Sequence, residues 1–138
     1  MTLARDVTAA LRDFLRPRLW LGLWCFGWLL CVVLSLIHPP NLGVDVPDGD
    51  KVGHFLAYAL LSAWSVWIFE SPRSHWLAAI ALVLLGIAME LAQGALTDDR
   101  MMDVRDAWAD AFGVAIGQLF AFGRARNLLQ LLEARWLR

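Results

Sequence analysis

The chain is short of several things that would each open a class of function. It has two cysteines, Cys25 and Cys31, in 138 residues. Six positions apart on a helix, they stand about 9 Å from each other on different faces, too far to bridge. There is no C-x-x-C pair, so a disulfide scaffold and a thiol metal or redox site are excluded, and both cysteines read as packing residues. An excess of positive charge is also missing: 12 basic against 13 acidic residues give a net charge of −1. No basic surface tracks phosphates, which excludes a nucleic-acid partner. The sequence has no H-E-x-x-H motif, no Ser or Cys beside a candidate base, no internal repeat and no low-complexity tract. The first apolar run ends in Ser-Leu-Ile-His-Pro-Pro without a small-x-small cleavage pattern and is too long for a signal-peptide core, so it is expected to be retained.

What is abundant is apolar surface. Apolar residues make up 59% of the chain, with 8 Trp and a mean hydropathy of +0.56, well above an ordinary soluble domain. Lipid is the expected solvent for much of the protein. Apolar runs long enough to cross a bilayer lie at residues 19–37, 53–69, 76–96 and 104–123. Breaks rich in Pro, Gly and charge separate them: HPPNLGVDVPDGD, ESPRSH and TDDRMMD. Of the 12 basic residues, only Lys51, Arg100 and Arg105 fall on one side of these spans. By the positive-inside rule both termini are cytoplasmic, and loops 38–52 and 97–103 face outward.

Two flanking segments are amphipathic. LARDVTAALRDFLR sets Leu3, Val7, Leu11 and Phe14 on one helical face, and RARNLLQLLEARWLR does the same with Leu128, Leu132 and Trp136. The expected fold is all-α: residues 1–138 form a single domain, an integral membrane bundle of four transmembrane helices with amphipathic interfacial helices at the N- and C-termini. Trp20, Trp67, Trp76 and Trp108 lie near span ends as an aromatic belt. His38 and His75 read as interface residues.

The polar residues do not scatter on this frame. At 100° per residue, Lys51, His54 and Tyr58 form one stripe descending from the outer surface. Gly86, Glu90, Gln93 and Thr97 share a face of the third span. Asp103, Asp106, Asp110, Gly113 and Gly117 share a face of the fourth. Asp110 and Glu90 lie about 10 Å, and Tyr58 about 12 Å, along their helices from the outer ends. An ionisable group facing lipid costs on the order of 3 kcal/mol, so these groups are expected to converge on one another or on a wet cavity. Gly113 and Gly117 form a small-xxx-small step that lets a neighbouring backbone approach.

That pocket gathers Asp50, Glu90, Asp103, Asp106 and Asp110 against Lys51 and Arg100, with His54 titratable; Arg105 points away. Such an excess is relieved by raised carboxyl pKa values, by a metal ion or by a cationic ligand. His54, Glu90, Asp103, Asp106 and Asp110 have the ligand types of a divalent-metal site, the one cofactor the pattern suggests.

The motifs DKVGHFLAY, MELAQ and RMMDVRDAWADAFGVAIG resemble the VanZ-like family. The family pattern is D-K-x-x-H-F-x-x-Y, then E-x-x-Q, then Arg followed by Asp or Asn at +3, +6 and +10 and Gly at +13 and +17. Here these are Asp50, Lys51, His54, Phe55 and Tyr58; Glu90 and Gln93; and Arg100, Asp103, Asp106, Asp110, Gly113 and Gly117. The resemblance covers residues 50–117, and Asp110 stands where Asn is frequent. It implies a multi-pass protein of the bacterial cytoplasmic membrane, in a group named for its effect on resistance to teicoplanin.

The leading functional expectation is a binding protein whose outward pocket takes an amphiphile: a membrane lipid headgroup, a lipid-linked cell-wall precursor or a lipoglycopeptide. Lys51 and Arg100 would meet its anionic groups, the carboxylates its amines or a bridging cation, and Tyr58 the hydrogen-bonding remainder. One alternative is a metal-dependent hydrolase of a lipid phosphate or ester. Another is a small proton- or cation-coupled transporter, against which the inner halves of the spans carry almost no polar residue. A purely structural polar knot is the remaining reading.

Overall fold

A computed structural model describes residues 10–37, 49–96 and 102–136. Five α-helices carry it: α1 Pro17–Leu36, α2 Gly49–Ile68, α3 Pro72–Leu96, α4 Val104–Gln118 and α5 Leu128–Trp136. Short 3-10 turns at Leu119–Ala121 and Gly123–Asn127 join the last two. The described residues contain no strand, only an isolated bridge between Leu11 and Phe69, so the chain is all-α as expected.

Local chemistry sets the helix boundaries. Pro17 occupies the first turn of α1, where its missing N–H costs nothing. Pro72 does the same in α3, where Ser71 Oγ accepts a bond from the Ser74 amide at 3.1 Å. Asp103 caps α4 by accepting from the Arg105 amide at 2.9 Å. After α4 the chain turns through Gly123, whose φ of +67° lies in the left-handed region that only glycine enters freely.

α2 is the central helix. Its inner half is buried on nearly every side, from Leu61 to Ile68, by α1, α3, α4 and α5. α4 lies along it because of Gly113 and Gly117. A Cβ at Gly113 would collide with the Phe55 carbonyl, and one at Gly117 would stand 2.5 Å from both Ala59 O and Ser62 Cβ. Direct backbone contact brings Ser62 Oγ within reach of Val114 O at 2.8 Å, while Gln118 Nε2 donates to Ser62 Oγ at 2.9 Å. α1 attaches through indoles: Trp24 Nε1 donates to Leu61 O at 3.0 Å and Trp64 Nε1 to Trp20 O at 3.3 Å. These tryptophans hold helices together rather than only marking span ends.

α1 and α3 are long and apolar enough to cross a membrane by length and composition. α2 and α4 fall outside that standard: α4 has only 15 residues, and α2 carries Asp50, Lys51 and His54 in its first two turns. Large apolar side chains nevertheless point outward from all four, among them Phe26, Leu56, Leu84 and Phe112, each about 60% exposed. The inside combines two apolar clusters with an unusual share of polar groups. Ser62, Ser65, Glu90, Gln93, Asp106 and Asp110 are all at least nine-tenths buried.

The N-terminal flank corrects the sequence reading. Residues 1–9 lie outside the described residues, and residues 10–16 are extended instead of forming an amphipathic helix. Pro17 disfavours helix at Arg16. The segment pairs with the end of α2, Arg12 N donating to Ile68 O and Glu70 N to Ala10 O, at 2.9 and 3.0 Å. The C-terminal flank is helical as expected, but it docks on the bundle through buried Leu129 and Glu133.

Candidate functional site

The N-terminal halves of α2 and α4 and the C-terminal half of α3 bring the sequence-predicted groups together. His54, on α2, is the hub. Its Nδ1 lies 3.0 Å from Asp110 Oδ1 on α4, and its Nε2 lies 4.0 Å from Asp50 Oδ1 one turn back. Lys51, on the same stripe, pairs with Asp103 Oδ2 at 3.4 Å and Asp106 Oδ1 at 3.7 Å. Glu90 enters from α3, its Oε2 accepting the Asp103 backbone amide at 3.0 Å. Tyr58 lies a turn below His54 and is 1% exposed. The periods of 3 and 4 that put these residues on inward faces are the reason they meet.

Gly86 gives Asp110 its place. A Cβ there would stand 2.7 Å from Asp110 Oδ2, so only glycine lets the carboxylate press against α3.

Depth separates the acids into two kinds. Asp50 is exposed and Asp103 half-exposed at the rim, whereas Glu90, Asp106 and Asp110 are buried. The Arg105 amide, followed by Lys51, holds the Asp103 carboxyl below the usual range against a smaller opposing effect of desolvation. Among the buried acids, Glu90 Oε1 and Asp110 Oδ2 have no hydrogen-bond partner, and Asp106 Oδ1 has only the Lys51 ammonium at 3.7 Å. Two orphaned carboxylate oxygens beside one imidazole are unusual, since a buried polar group left unpaired costs about 1–3 kcal/mol.

Two groups of candidate metal ligands occur among the described residues: Asp50, His54 and Asp106, and His54, Glu90 and Asp110. Within each group the ligand atoms lie within 4.8 Å of one another. Asp103, expected as a possible ligand from the sequence, belongs to neither, because it is committed to the α4 cap and to Lys51. Arg100 lies outside the described residues, as do Thr97 and His38. Gln93 has a structural bond, its Nε2 donating to Ser35 O of α1 at 2.8 Å. Arg105 is exposed and turned away from the acids, as its place on the helix predicts.

A cleft of about 310 Å³ between α1 and α2 opens beside the hub. Leu34, Ile37 and Ala57 give it apolar walls, and Asp50, His54 and Tyr58 a polar side. Ser35 and Cys31 complete it from α1, a contribution that no motif in the sequence signalled.

Sequence reasoning also missed a second polar cluster at the opposite end of the helices. Arg12, 5% exposed, donates from Nε to Val66 O and Phe69 O at 3.3 and 3.0 Å, and from Nη1 to Asn127 Oδ1 at 3.3 Å. Desolvation pushes its pKa down, opposed by the Glu70 carboxylate at 3.9 Å. Glu133 of α5 accepts from the Leu15 and Arg16 amides and from Trp20 Nε1, at 2.7, 3.0 and 2.8 Å. One carboxylate thus satisfies donors at the start of α1. His75 joins this end, its Nε2 lying 2.9 Å from Phe69 O. The periodicity set these charges away from the apolar face of each flanking segment, so it pointed to solvent and not to burial. Compared with family models, curated proteins and solved structures, the chain matches none of them.

Proposed function

We propose that the protein is a multi-pass, VanZ-like protein of the bacterial cytoplasmic membrane that binds the polar head of an amphiphile at the His54 centre. Four helices would cross the bilayer. At 1.5 Å per residue α1 and α2 extend about 30 Å and α3 about 37 Å; α4 with its 3-10 continuation reaches about 28 Å, near the thickness of a hydrocarbon core. The supporting pattern is a surface of outward Leu, Phe, Ile and Trp around an interior that also buries Ser, Gln, Glu and Asp side chains. With arginine-rich flanks on the cytoplasmic side, both termini are cytoplasmic and the His54 centre lies toward the outer leaflet.

The observation that carries the functional reading is the cleft itself, apolar along its walls and ending on Asp50 and His54. A headgroup at the polar end and an alkyl chain along α1 would satisfy both. Lipid, lipid-linked wall precursor and lipoglycopeptide share that chemistry, and Lys51 at the rim supplies a cation for an anionic head.

The test is lipid and precursor binding by the purified full chain in nanodiscs, read by native mass spectrometry, for wild type and Ala57→Trp. The bulky side chain fills the cleft without touching the acids, so a tenfold or greater loss of retained amphiphile is expected. Unchanged retention refutes the cleft as the binding place.

A further inference from the structure

The buried acids and the imidazole do more than satisfy one another. Glu90 from α3 and Asp110 from α4 each turn one oxygen into the bundle with no donor to meet it, although both side chains are at least 97% buried. A hydrogen-bonded knot built only to fix helix register would have paired these atoms, because nothing is gained by desolvating an acceptor and leaving it empty. Two carboxylate oxygens left without a donor beside a neutral or singly charged imidazole describe the surroundings of a cation.

We infer that His54, Glu90 and Asp110 hold one divalent transition-metal ion, of the zinc or manganese class, at the centre of α2, α3 and α4. The ligand atoms lie within 4.8 Å of one another. Tetrahedral coordination at bonds of about 2.1 Å needs edges of about 3.4 Å, so side-chain adjustments of roughly an ångström close the cage. The donor set is one nitrogen and carboxylate oxygens, which suits zinc, manganese or ferrous iron; calcium and magnesium prefer all-oxygen sites, and cuprous copper prefers sulfur. His54 also has an outer partner: with Nδ1 toward Asp110, its Nε2 faces the Asp50 carboxylate, which orients the ring as carboxylates do behind ligating histidines.

The second grouping, Asp50, His54 and Asp106, shares the same imidazole, but Asp50 is exposed at the rim. The inner grouping has both acids buried, each with an orphaned oxygen, and is the one assigned. Gly86 belongs to this design, since a methyl group there would stand against the Asp110 oxygen without removing any ligand.

The site does not depend on what occupies the cleft, and the two are tested apart. The full chain is purified in detergent without added metal, its metal content is measured by elemental mass spectrometry, and thermal unfolding is followed after chelation and after return of Zn²⁺, Mn²⁺, Mg²⁺ or Ca²⁺. The expectation is near one equivalent of transition metal in wild type and in Asp103→Asn, and at least tenfold less in Glu90→Gln and Gly86→Ala. Return of Zn²⁺ or Mn²⁺ at a hundredfold excess over Kd raises the unfolding temperature of chelated wild type by roughly 5–10 °C. Folded wild type with below about a tenth of an equivalent and no such rise overturns the site, whatever the variants do. Equal stabilisation by all four ions overturns the assigned class. Amphiphile retention by metal-free protein would leave the cleft standing while the metal falls, and metal without amphiphile retention would do the reverse.

Discussion

The contact between α2 and α4 can be tested by adding a single methyl group. In Gly117→Ala the new Cβ stands 2.5 Å from Ala59 O and Ser62 Cβ and 2.7 Å from Ala63 N. Ordinary contacts between heavy atoms are about 3.5–4.0 Å, so the shortfall is about 1 Å at three atoms. Two of these are backbone and cannot rotate away, so the helices themselves must separate. Overpacking of this kind costs typically 1–3 kcal/mol, and three simultaneous contacts put Gly117→Ala near the upper end. Helix propensity returns about 1 kcal/mol for Gly to Ala, leaving a net loss of about 2 kcal/mol. Gly22 in α1 is the control, because a Cβ there meets nothing within 4 Å. Gly22→Ala keeps the propensity gain and should stabilise by up to about 1 kcal/mol. The two variants thus differ in sign and by about 3 kcal/mol, on the order of a hundredfold in the unfolding equilibrium. Reversible unfolding in detergent micelles, followed by tryptophan fluorescence, measures both. If Gly117→Ala came within 0.5 kcal/mol of wild type, taking ~1 kcal/mol as the typical effect of a mutation, or matched Gly22→Ala, the close packing of α4 on α2 would be refuted.

Other perturbations follow from the same contacts. Glu133→Ala strips the acceptor from Leu15 N, Arg16 N and Trp20 Nε1; a loss of about 2–5 kcal/mol is expected, with Glu133→Gln intermediate, read by unfolding and by faster tryptic cleavage at Arg18 in the first turn of α1. Ser62→Ala removes the bond to Val114 O and the acceptor for Gln118, and should cost about 1–2 kcal/mol in micelles. Because Asp103 is held below its ordinary pKa, its contribution is complete above about pH 4 and is lost as pH falls through the depressed folded value. Unfolding titrations at pH 6 and pH 3 should therefore show a shallower acid loss in Asp103→Asn than in wild type; an equal slope would show that the α4 cap does not depend on that charge.

Much of the candidate site was legible before any coordinates. The steps from Asp103 to Asp106 to Asp110, and from Gly86 to Glu90 to Gln93, fix which faces of two helices are polar, whatever those helices touch. The cost of placing such groups in lipid then requires the faces to meet. Less legible was the division among the acids. Asp103 and Asp106 lie on one face, yet the first is committed to a cap at the rim and the second is buried, because α4 begins between them. The contribution of α1 to the cleft was not legible at all. Its residues carry no polar stripe, and Ser35 and Cys31 come into place only through the indole bonds that dock α1 on α2.

The flanks show the same limit from the other side. LARDVTAALRDFLR has a helical period, and the period predicted a helix; over its described part, residues 10–16, Arg12 and Pro17 decided otherwise. Sequence alone determined roughly where the four long helices lie and the polar face of each, since burial pattern and capping act within a few turns of one chain segment. Only the tertiary structure decided which partners those faces found, because Arg12 with Asn127, or Leu15 with Glu133, join residues 115 and 118 positions apart, and no local rule ranks one distant acceptor over another.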